Sequence, residues 1–558
     1  SRVRTLSVDQ ISAGLDDRFH LLTGGARTLL PRQQTLRALI DWSYDLLSEN
    51  ERLFFRRLSV FAGGWTLEAA EEVCSDSDQS SVNSDQTDHR LLITDILDLL
   101  TQLINKSLVV VIAEGSQSGE TRYRMLETIR QYAREKLLEA GGSEVIRDRH
   151  LAYFVKLVEL AEPELFRSNQ VFWLNKLDDE LDNLRRALEW SLTADVEAGL
   201  QLMVTPQLYW DTRGDFREVE SWLAQLLEHY SKADSLRARG LLIYGQAIFL
   251  GGDFDESRKI GEQSLELSRT ISDKRAEAFS LWSLGVALAI RGDIAQGIPI
   301  MEQSLALYQS LGDKLGQATV MAWLSLNHND LEHSKAYLFD SLRLFRELGH
   351  LSGIAICLSE LAHRTIWGGD FSSPIPWLEE ARELYRQLGN ILREGDVLSY
   401  YGLLAYWQGD FKQARAYYEE SAKLYEKVGH FVNLSWSRVN IAYVVLRQGD
   451  YQQAKEMFCF CIQQFQKANN TIGLIYAIEG IASLHVNQGQ PERAAHLFAW
   501  ADAMREKIGD YRPPVEQNSV ERDLAVIHSK LNDTEYSKLS TEGRAMTTEQ
   551  AFALALEG

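Results

Sequence analysis

The sequence predicts a mostly α chain in which a small helical domain with a β-hairpin precedes an α-solenoid of stacked helical hairpins. Three observations carry this. A Gly with a short polar residue, usually followed by an aromatic, recurs at Gly214-Asp215-Phe216, Gly252-Asp253-Phe254, Gly292-Asp293-Ile294, Gly369-Asp370-Phe371, Gly409-Asp410-Phe411, Gly449-Asp450-Tyr451 and, in worn form, Gly489-Gln490. The steps are 38, 40, 77, 40, 40 and 40 residues, the 77 being a doubled step over a degraded copy at Asn329-Asp330-Leu331. Periods of this length belong to helical pairs that bury their apolar faces only against neighbours. Upstream, helical runs give way to a β-branched stretch and an alternating one about a turn between Gly115 and Gly119, the signature of a hairpin.

Taken in order, residues 1–30 look like the end of a helical unit, stopped by Gly24-Gly25. From Gln33 a helix carries Leu36, Leu39, Ile40 and Trp42; Ser48 caps a second; Thr66 opens a third after Gly63-Gly64. Residues 75–90 are polar and serine-rich, a surface loop. A further helix runs from Ile96 to Ile104, followed by strands over Ser107–Ala113 and Thr121–Met125 and a helix from Leu126 to Ala140, ended by Gly141-Gly142. Three helices and a hairpin make a winged-helix domain over residues 31–142. Helices at 147–165 and 170–192 form a connecting segment, 143–200, before the solenoid of residues 201–510. Pro513-Pro514 break the pattern, and helices near 515–531, 533–540 and 547–556 cap the stack over residues 511–558.

Within the repeats, the residue seven before each Gly is small (Gly245, Gly285, Ala362, Gly402, Ala442, Ala482) and its predecessor is large. Five after it come Ala414, Ala454 and Ala494, and nine after it Tyr418, Phe458 and Phe498. Small positions let helices approach, and large ones fill the gap beside them. This spacing resembles the tetratricopeptide repeat in a lengthened form of about 40 residues, closely in the last three repeats and more loosely where Pro374, Gly297 and Ser257 replace the alanine. The resemblance implies a right-handed superhelix whose concave groove is lined ten, six and three residues before each Gly. Those positions hold Gln246, Trp282, His363, Tyr406, Tyr443 and Glu479, a mixture of aromatics, amides and one acid suited to a protein, peptide or small-molecule effector.

The stretch Leu39-Ile40-Asp41-Trp42-Ser43-Tyr44-Asp45-Leu46-Leu47-Ser48 resembles the Leu-Ser-Tyr-Asp-x-Leu signature that opens the winged helix of NB-ARC proteins, members of the signal-transduction ATPases with numerous domains (STAND), with Trp42 in place of a leucine. Ser107–Val110, Arg122–Ala133 and Leu30–Thr35 are similar to further segments of the bacterial regulators of this class. The resemblance implies that residues 1–30 end a helical ARC-like subdomain and that a nucleotide-binding core using ATP and ADP lies upstream. It also implies that Met125, Leu126 and Glu127 stand where the family has Met-His-Asp, whose histidine touches bound ADP. Leu126 cannot donate a hydrogen bond to phosphate; the alternative is a helix start with Met125 and Leu126 in the core.

No Gly-x-x-x-x-Gly-Lys-Ser/Thr phosphate cradle occurs, so the chain is expected to be a non-enzymatic fragment without catalytic residues or a cofactor of its own. Its start, Ser-Arg-Val-Arg, is neither a signal peptide nor a natural beginning. The net charge of −21 makes it a poor partner for duplex DNA, and the segment from Thr66 to Val73, taken as the recognition helix, carries Glu68, Glu71 and Glu72. The four cysteines and the dispersed histidines lack metal-ligand spacing; Cys461 of Cys459-Phe460-Cys461 occupies a small packing position, consistent with a reducing cytoplasm. Asp178, Asp179, Glu180 and Asp182 look like the wet face of a helix. No stretch is long enough to cross a bilayer. The preferred function is the regulatory and sensor arm of a STAND-type ATPase, able to self-associate when its effector binds. A DNA-binding winged-helix transcription factor and a passive scaffold are the alternatives.

Overall fold

Capping residues decide where most helices of this chain begin. The computed structural model describes residues 36–76, 91–112, 117–290, 293–327, 330–468 and 470–556. The expected end of an ARC-like subdomain at 1–30, the segment Leu30–Thr35 and most of the loop at 75–90 lie outside the described residues. Two compact units emerge: residues up to Pro163 with Phe172–Pro206 and Glu228–Tyr230, and Glu164–Val171 with Gln207–Leu227 and everything from Ser231.

The first unit opens with α1 (Leu36–Asp45) and α2 (Glu49–Leu58). Ser48 caps α2 reciprocally: its hydroxyl accepts from the Glu51 amide at 3.4 Å, and the Glu51 carboxylate accepts from the Ser48 amide at 2.7 Å. A two-residue strand, β1 (Trp65–Thr66), leads into α3 (Leu67–Cys74), and α4 (Ile96–Asn105) precedes the wing strands β2 (Val110–Ile112) and β3 (Arg122–Arg124). The sheet order is β1-β3-β2, all antiparallel, with Trp65 opposite Tyr123 and Val111 opposite Tyr123 on its other side. Helix α5 (Glu127–Ala140) follows, and Phe54, Phe55, Leu58, Trp65, Leu103 and Tyr132 are buried in the core. Because β1 pairs with the wing, α3 is the second helix of the motif and α4 the third. The recognition position therefore belongs to α4, not to Thr66–Val73. The exposed residues of α4 are Leu97, Asp98, Thr101, Gln102 and Asn105, none of them basic, and Lys106 beyond its end binds Glu51 at 2.6 Å.

Helices α6 (Ser143–Leu165, through Pro163), α7 (Gln170–Asp179), α8 (Leu181–Ala194) and α9 (Val196–Val204) add to this unit. The acidic run at the α7–α8 junction is not a wet face throughout. Glu180 is buried, 2% exposed, and pairs with the Arg122 guanidinium of β3. Asp179 accepts from the amides of Gln117 and Ser118, both at 3.0 Å. Asn183 donates to the Gly64 carbonyl at 2.8 Å and accepts from the Ala62 amide at 2.7 Å. The carboxylates thus tie the wing to α8, a role that no local pattern announces.

The second unit begins with α10 (Gln207–Arg213) and α11 (Phe216–His229), then seven hairpins. These are α12 (Ser235–Gly251) with α13 (Phe254–Thr270), α14 (Lys274–Ile290) with α15 (Ile294–Ser310), α16 (Lys314–Asn327) with α17 (Leu331–Leu348), and α18 (Leu351–Trp367) with α19 (Ile375–Leu388). The last three are α20 (Ile391–Trp407) with α21 (Phe411–Val428), α22 (Phe431–Arg447) with α23 (Tyr451–Lys467), and α24 (Thr471–Asn487) with α25 (Pro491–Ile508). Helices α26 (Pro514–His528), α27 (Asp533–Ala545) and α28 (Thr548–Leu556) follow.

The repeated Gly turns the hairpin in the left-handed region at Gly369, Gly409 and Gly449, with φ of 92°, 85° and 86°. The next Asp then caps the second helix: Asp410 and Asp450 accept from the amides of Gln413 and Gln453 at 3.0 and 3.1 Å. A second rhythm joins one hairpin to the next. Gly349, Gly389 and Gly429 also take positive φ, and the residues after them cap: His350 accepts from Gly353, Asn390 from Arg393, His430 from Asn433.

Between the helices, small faces large as expected at Gly402, where a built Cβ would fall 2.7 Å from the Tyr418 ring; Gly480, off the expected positions, approaches Phe458 in the same way, at 2.3 Å. A buried serine on the second helix also donates to a carbonyl 26 residues earlier, as in Ser264 to Ala238 (2.8 Å), Ser304 to Ala278 (2.6 Å) and Ser421 to Gly395 (2.9 Å). Cys461 takes the same place, its Sγ 3.8 Å from the Ser435 carbonyl, with its thiol pushed up to about 12 by burial. It is a packing residue with little thiolate at neutral pH.

Candidate functional site

Three consecutive first helices, α20, α22 and α24, place Tyr406, Tyr443 and Glu479 on one wall of a cavity of about 70 Å³. Tyr476 completes the row. The Tyr443 hydroxyl donates to the Tyr476 carbonyl at 2.7 Å, and Arg447 Nε donates to the Tyr406 hydroxyl at 3.1 Å, so the rings are held from repeat to repeat. The Tyr443 ring stands edge-on to buried Phe458, with centroids 5.0 Å apart.

The other wall is α26, which supplies Glu516, Ser519 and Val520. It crosses first helices of several repeats: Val515 lies beside Gly369 at the end of α18, Arg447 of α22 donates to Ser519 at 3.1 Å, and Ser483 of α24 donates to Asp523 at 2.5 Å. Val515, Val520 and Ile527 are buried. Burial of side chains of this size stabilises by about 1.5–3 kcal/mol each. The carboxyl of half-buried Glu516 is pushed up to about 7 by desolvation, opposed by Arg505 and the Tyr476 hydroxyl and reinforced by Glu479 and Asp510.

Glu479 is the anchor of this arrangement. Its carboxylate accepts from Arg505 at 2.9 and 3.0 Å and from Arg512 at 2.9 and 2.6 Å, is only 5% exposed, and is held below the ordinary carboxylate range by those guanidinium groups against the cost of burial. Arg512 also reaches Asp502, and Arg505 reaches Asp510 and lies over the Tyr476 ring at 4.8 Å. The network pins the segment that leads from α25 into α26.

The remaining groove residues fall at other neighbours. His363 is sandwiched by Trp367 and Tyr400, at 4.1 and 4.2 Å between centroids, with Glu360 at 3.5 Å. Trp282 stacks on Phe279 and meets Trp323 edge-on, and Gln246 accepts from Gln207 at 3.4 Å. Tyr476 and Glu516 escape a reading by repeat position: Tyr476 lies thirteen residues before Gly489, off the three groove positions, and Glu516 follows the proline break.

In the first unit, Met125 is buried at the end of the wing, whereas Leu126 is 52% exposed as the residue before α5, so the core alternative holds for Met125 alone. Glu127 is exposed in the first turn and pairs with Arg130 at 2.6 Å.

The chain carries a winged helix-turn-helix domain and tetratricopeptide repeats: family models of these descriptions match residues 47–138 and 393–467. A Mycobacterium tuberculosis protein named as an HTH-type transcriptional regulator is 40% identical over 247 residues, 43% of this chain and 26% of that protein; an uncharacterized protein of the same organism is 38% identical over 151 residues, 27% and 35% of the two chains. The chain thus spans about a quarter to a third of the curated relatives it matches. Among solved structures it is similar to a STAND protein with a tetratricopeptide repeat sensor from Pyrococcus horikoshii (12% identity, 94% of this chain, 73% of that one, TM-score 0.47). It is also similar to the Rap conjugation gene regulator of plasmid pLS20 in complex with the Phr* peptide (15% identity, 64% and 96%, TM-score 0.43).

Proposed function

We propose that this chain is the regulatory and sensor arm of a STAND-type signalling ATPase. Its repeats receive a protein, peptide or small-molecule effector along their first helices, and its winged helix relays the event to an upstream nucleotide-binding core. The observation that carries this reading is the tyrosine-lined cavity of the last repeats, covered by a helix of the same chain. An amphipathic helix laid by its apolar face into an apolar groove is a recurring mode of peptide recognition, so α26 stands as the built-in occupant that an effector displaces. Displacement shifts a population only as far as the effector prefers the open groove over the closed one. The exposed Leu126 and Glu127 mark the winged-helix end that meets the core, with adenine nucleotide bound by the core itself. The test uses the full-length protein. Nucleotide exchange and self-association should both change when residues 201–558 are removed; if neither does, the sensor reading fails.

A second reading, a DNA-binding regulator, draws on the relative's name and on the helix-turn-helix match. The chemistry of α4, with Asp98 exposed and no arginine, argues against tight major-groove readout. A gel-shift with this chain and duplex DNA separates the two.

A further inference from the structure

The first unit contains a cavity of about 330 Å³, at the lower end of the range of about 300–1,000 Å³ that small-molecule sites occupy. Four arginines line it: Arg130 and Arg134 of α5, Arg147 of α6 and Arg186 of α8. In a chain of net charge −21, their convergence is against the overall balance. Glu189 is the one carboxylate in the lining, and it is engaged by Arg186. Arg147 lies over the Trp190 ring at 4.9 Å, and that ring is fixed by its Nε1 donating to Asp148 at 2.8 Å. Arg134 and Arg147 have no carboxylate partner among the described residues. The guanidinium of Arg134 is held below its ordinary value, though still protonated, by desolvation and then by repulsion from Arg186, Arg147 and Arg130, with Glu189 opposing.

Two further groups in the lining point to a ligand. Ser143 Oγ and His150 Nε2 are buried, with residues 8% and 1% exposed, and neither has a hydrogen-bond partner among the described residues. Buried polar atoms left so carry a free-energy cost of desolvation that a ligand would relieve. His150 stays neutral, its imidazolium pushed down to about 3 by burial, opposed by a hydrogen bond with Asn183 and reinforced by Arg186, so Nε2 can donate or accept according to the tautomer. Ser143 is also the first residue of the 23-residue helix α6, whose leading amides favour an anion.

From this geometry we infer that the cavity between α5, α6 and α8 is a binding site for a phosphate-bearing small-molecule polyanion, with Arg134 and Arg147 as its principal charges and Ser143 and His150 as neutral partners. The site stands on residues separate from the effector groove, so its fate does not decide that reading. A cavity of this size suits a small anion; a duplex backbone needs a long basic face.

Isothermal titration of the chain with inorganic pyrophosphate tests the inference, alongside inorganic phosphate and a nucleoside diphosphate to separate free from esterified phosphate. Saturable pyrophosphate binding is expected, weakening as salt rises. Arg134→Gln with Arg147→Gln should weaken it about 10-fold or more, with unchanged circular dichroism, and Ser143→Ala less. Absence of saturable binding by the unmodified chain, affinity indifferent to salt, or an unchanged affinity in the folded double variant overturns the inference. So does duplex DNA binding that these arginine variants abolish while pyrophosphate does not bind.

Discussion

At the scale of single residues, one buried ion pair ties the wing to the α7–α8 junction. The Arg122–Glu180 pair is buried on both sides, and burial pushes the Glu180 carboxyl above its ordinary range despite the guanidinium beside it. Removing one partner leaves the other charge stranded, which costs about 3–5 kcal/mol. Arg122→Ala should therefore lower the denaturation free energy of the first unit by roughly that amount, and Arg122→Met with Glu180→Leu should recover most of it. In the repeats, two glycines differ in sign. Gly402→Ala drives a Cβ to 2.7 Å from the Tyr418 ring and should destabilise by about 1–3 kcal/mol. Gly261→Ala in α13 meets nothing within 4 Å and should stabilise by about 0.5–1 kcal/mol through helix propensity. Denaturant titration of both variants reads the difference. Neither Glu180 nor the Ser143–His150 pair was legible in the sequence, since each owes its role to partners far along the chain: Glu180 to Arg122, 58 residues away, and the cavity to three separate helices.

At the scale of elements, the Gly-Asp turns and the small-large packing were legible because each depends on a fixed local offset: Gly409 supplies a left-handed φ and Asp410 caps. The second set of turns was not, because its capping residue changes among His350, Asn390, His430 and Asn470, and the sequence has Asn469 in place of the Gly in the last copy. The recognition position was misplaced for a similar reason: β1 is two residues long, too short for an alternating pattern to reveal. Helix α26 is the element whose seating should respond to pH. With Glu516 at about 7 in the folded state and an ordinary carboxyl near 4.5 when unfolded, the folded chain holds a proton between those values that the unfolded chain has released. Its contribution is complete below about 4.5 and is lost as pH rises through about 7. Thermal midpoints measured from pH 5 to 8 should fall less steeply in Glu516→Gln than in the unmodified chain.

At the scale of the whole molecule, the chain combines a winged helix whose helix α4 exposes no basic side chain with a repeat array whose last groove is closed by its own C-terminal region. Among the described residues no helix is long and apolar enough to cross a membrane. The central claim is that α26 is a removable occupant of a ligand-receiving groove and not part of the solenoid's permanent core. Hydrogen exchange with mass spectrometry on the intact chain measures this directly, comparing the unmodified protein with Val520→Asp, which places a charge where a buried valine stood. Residues 514–528 should exchange faster than α22 and α24 in the unmodified protein. The substitution should accelerate exchange in α26 and in the cavity-facing turns around Tyr406, Tyr443 and Tyr476, while α12 to α17 stay unchanged. Protection of α26 equal to that of α22 and α24, or cooperative loss of the entire repeat array in the variant, would contradict that claim.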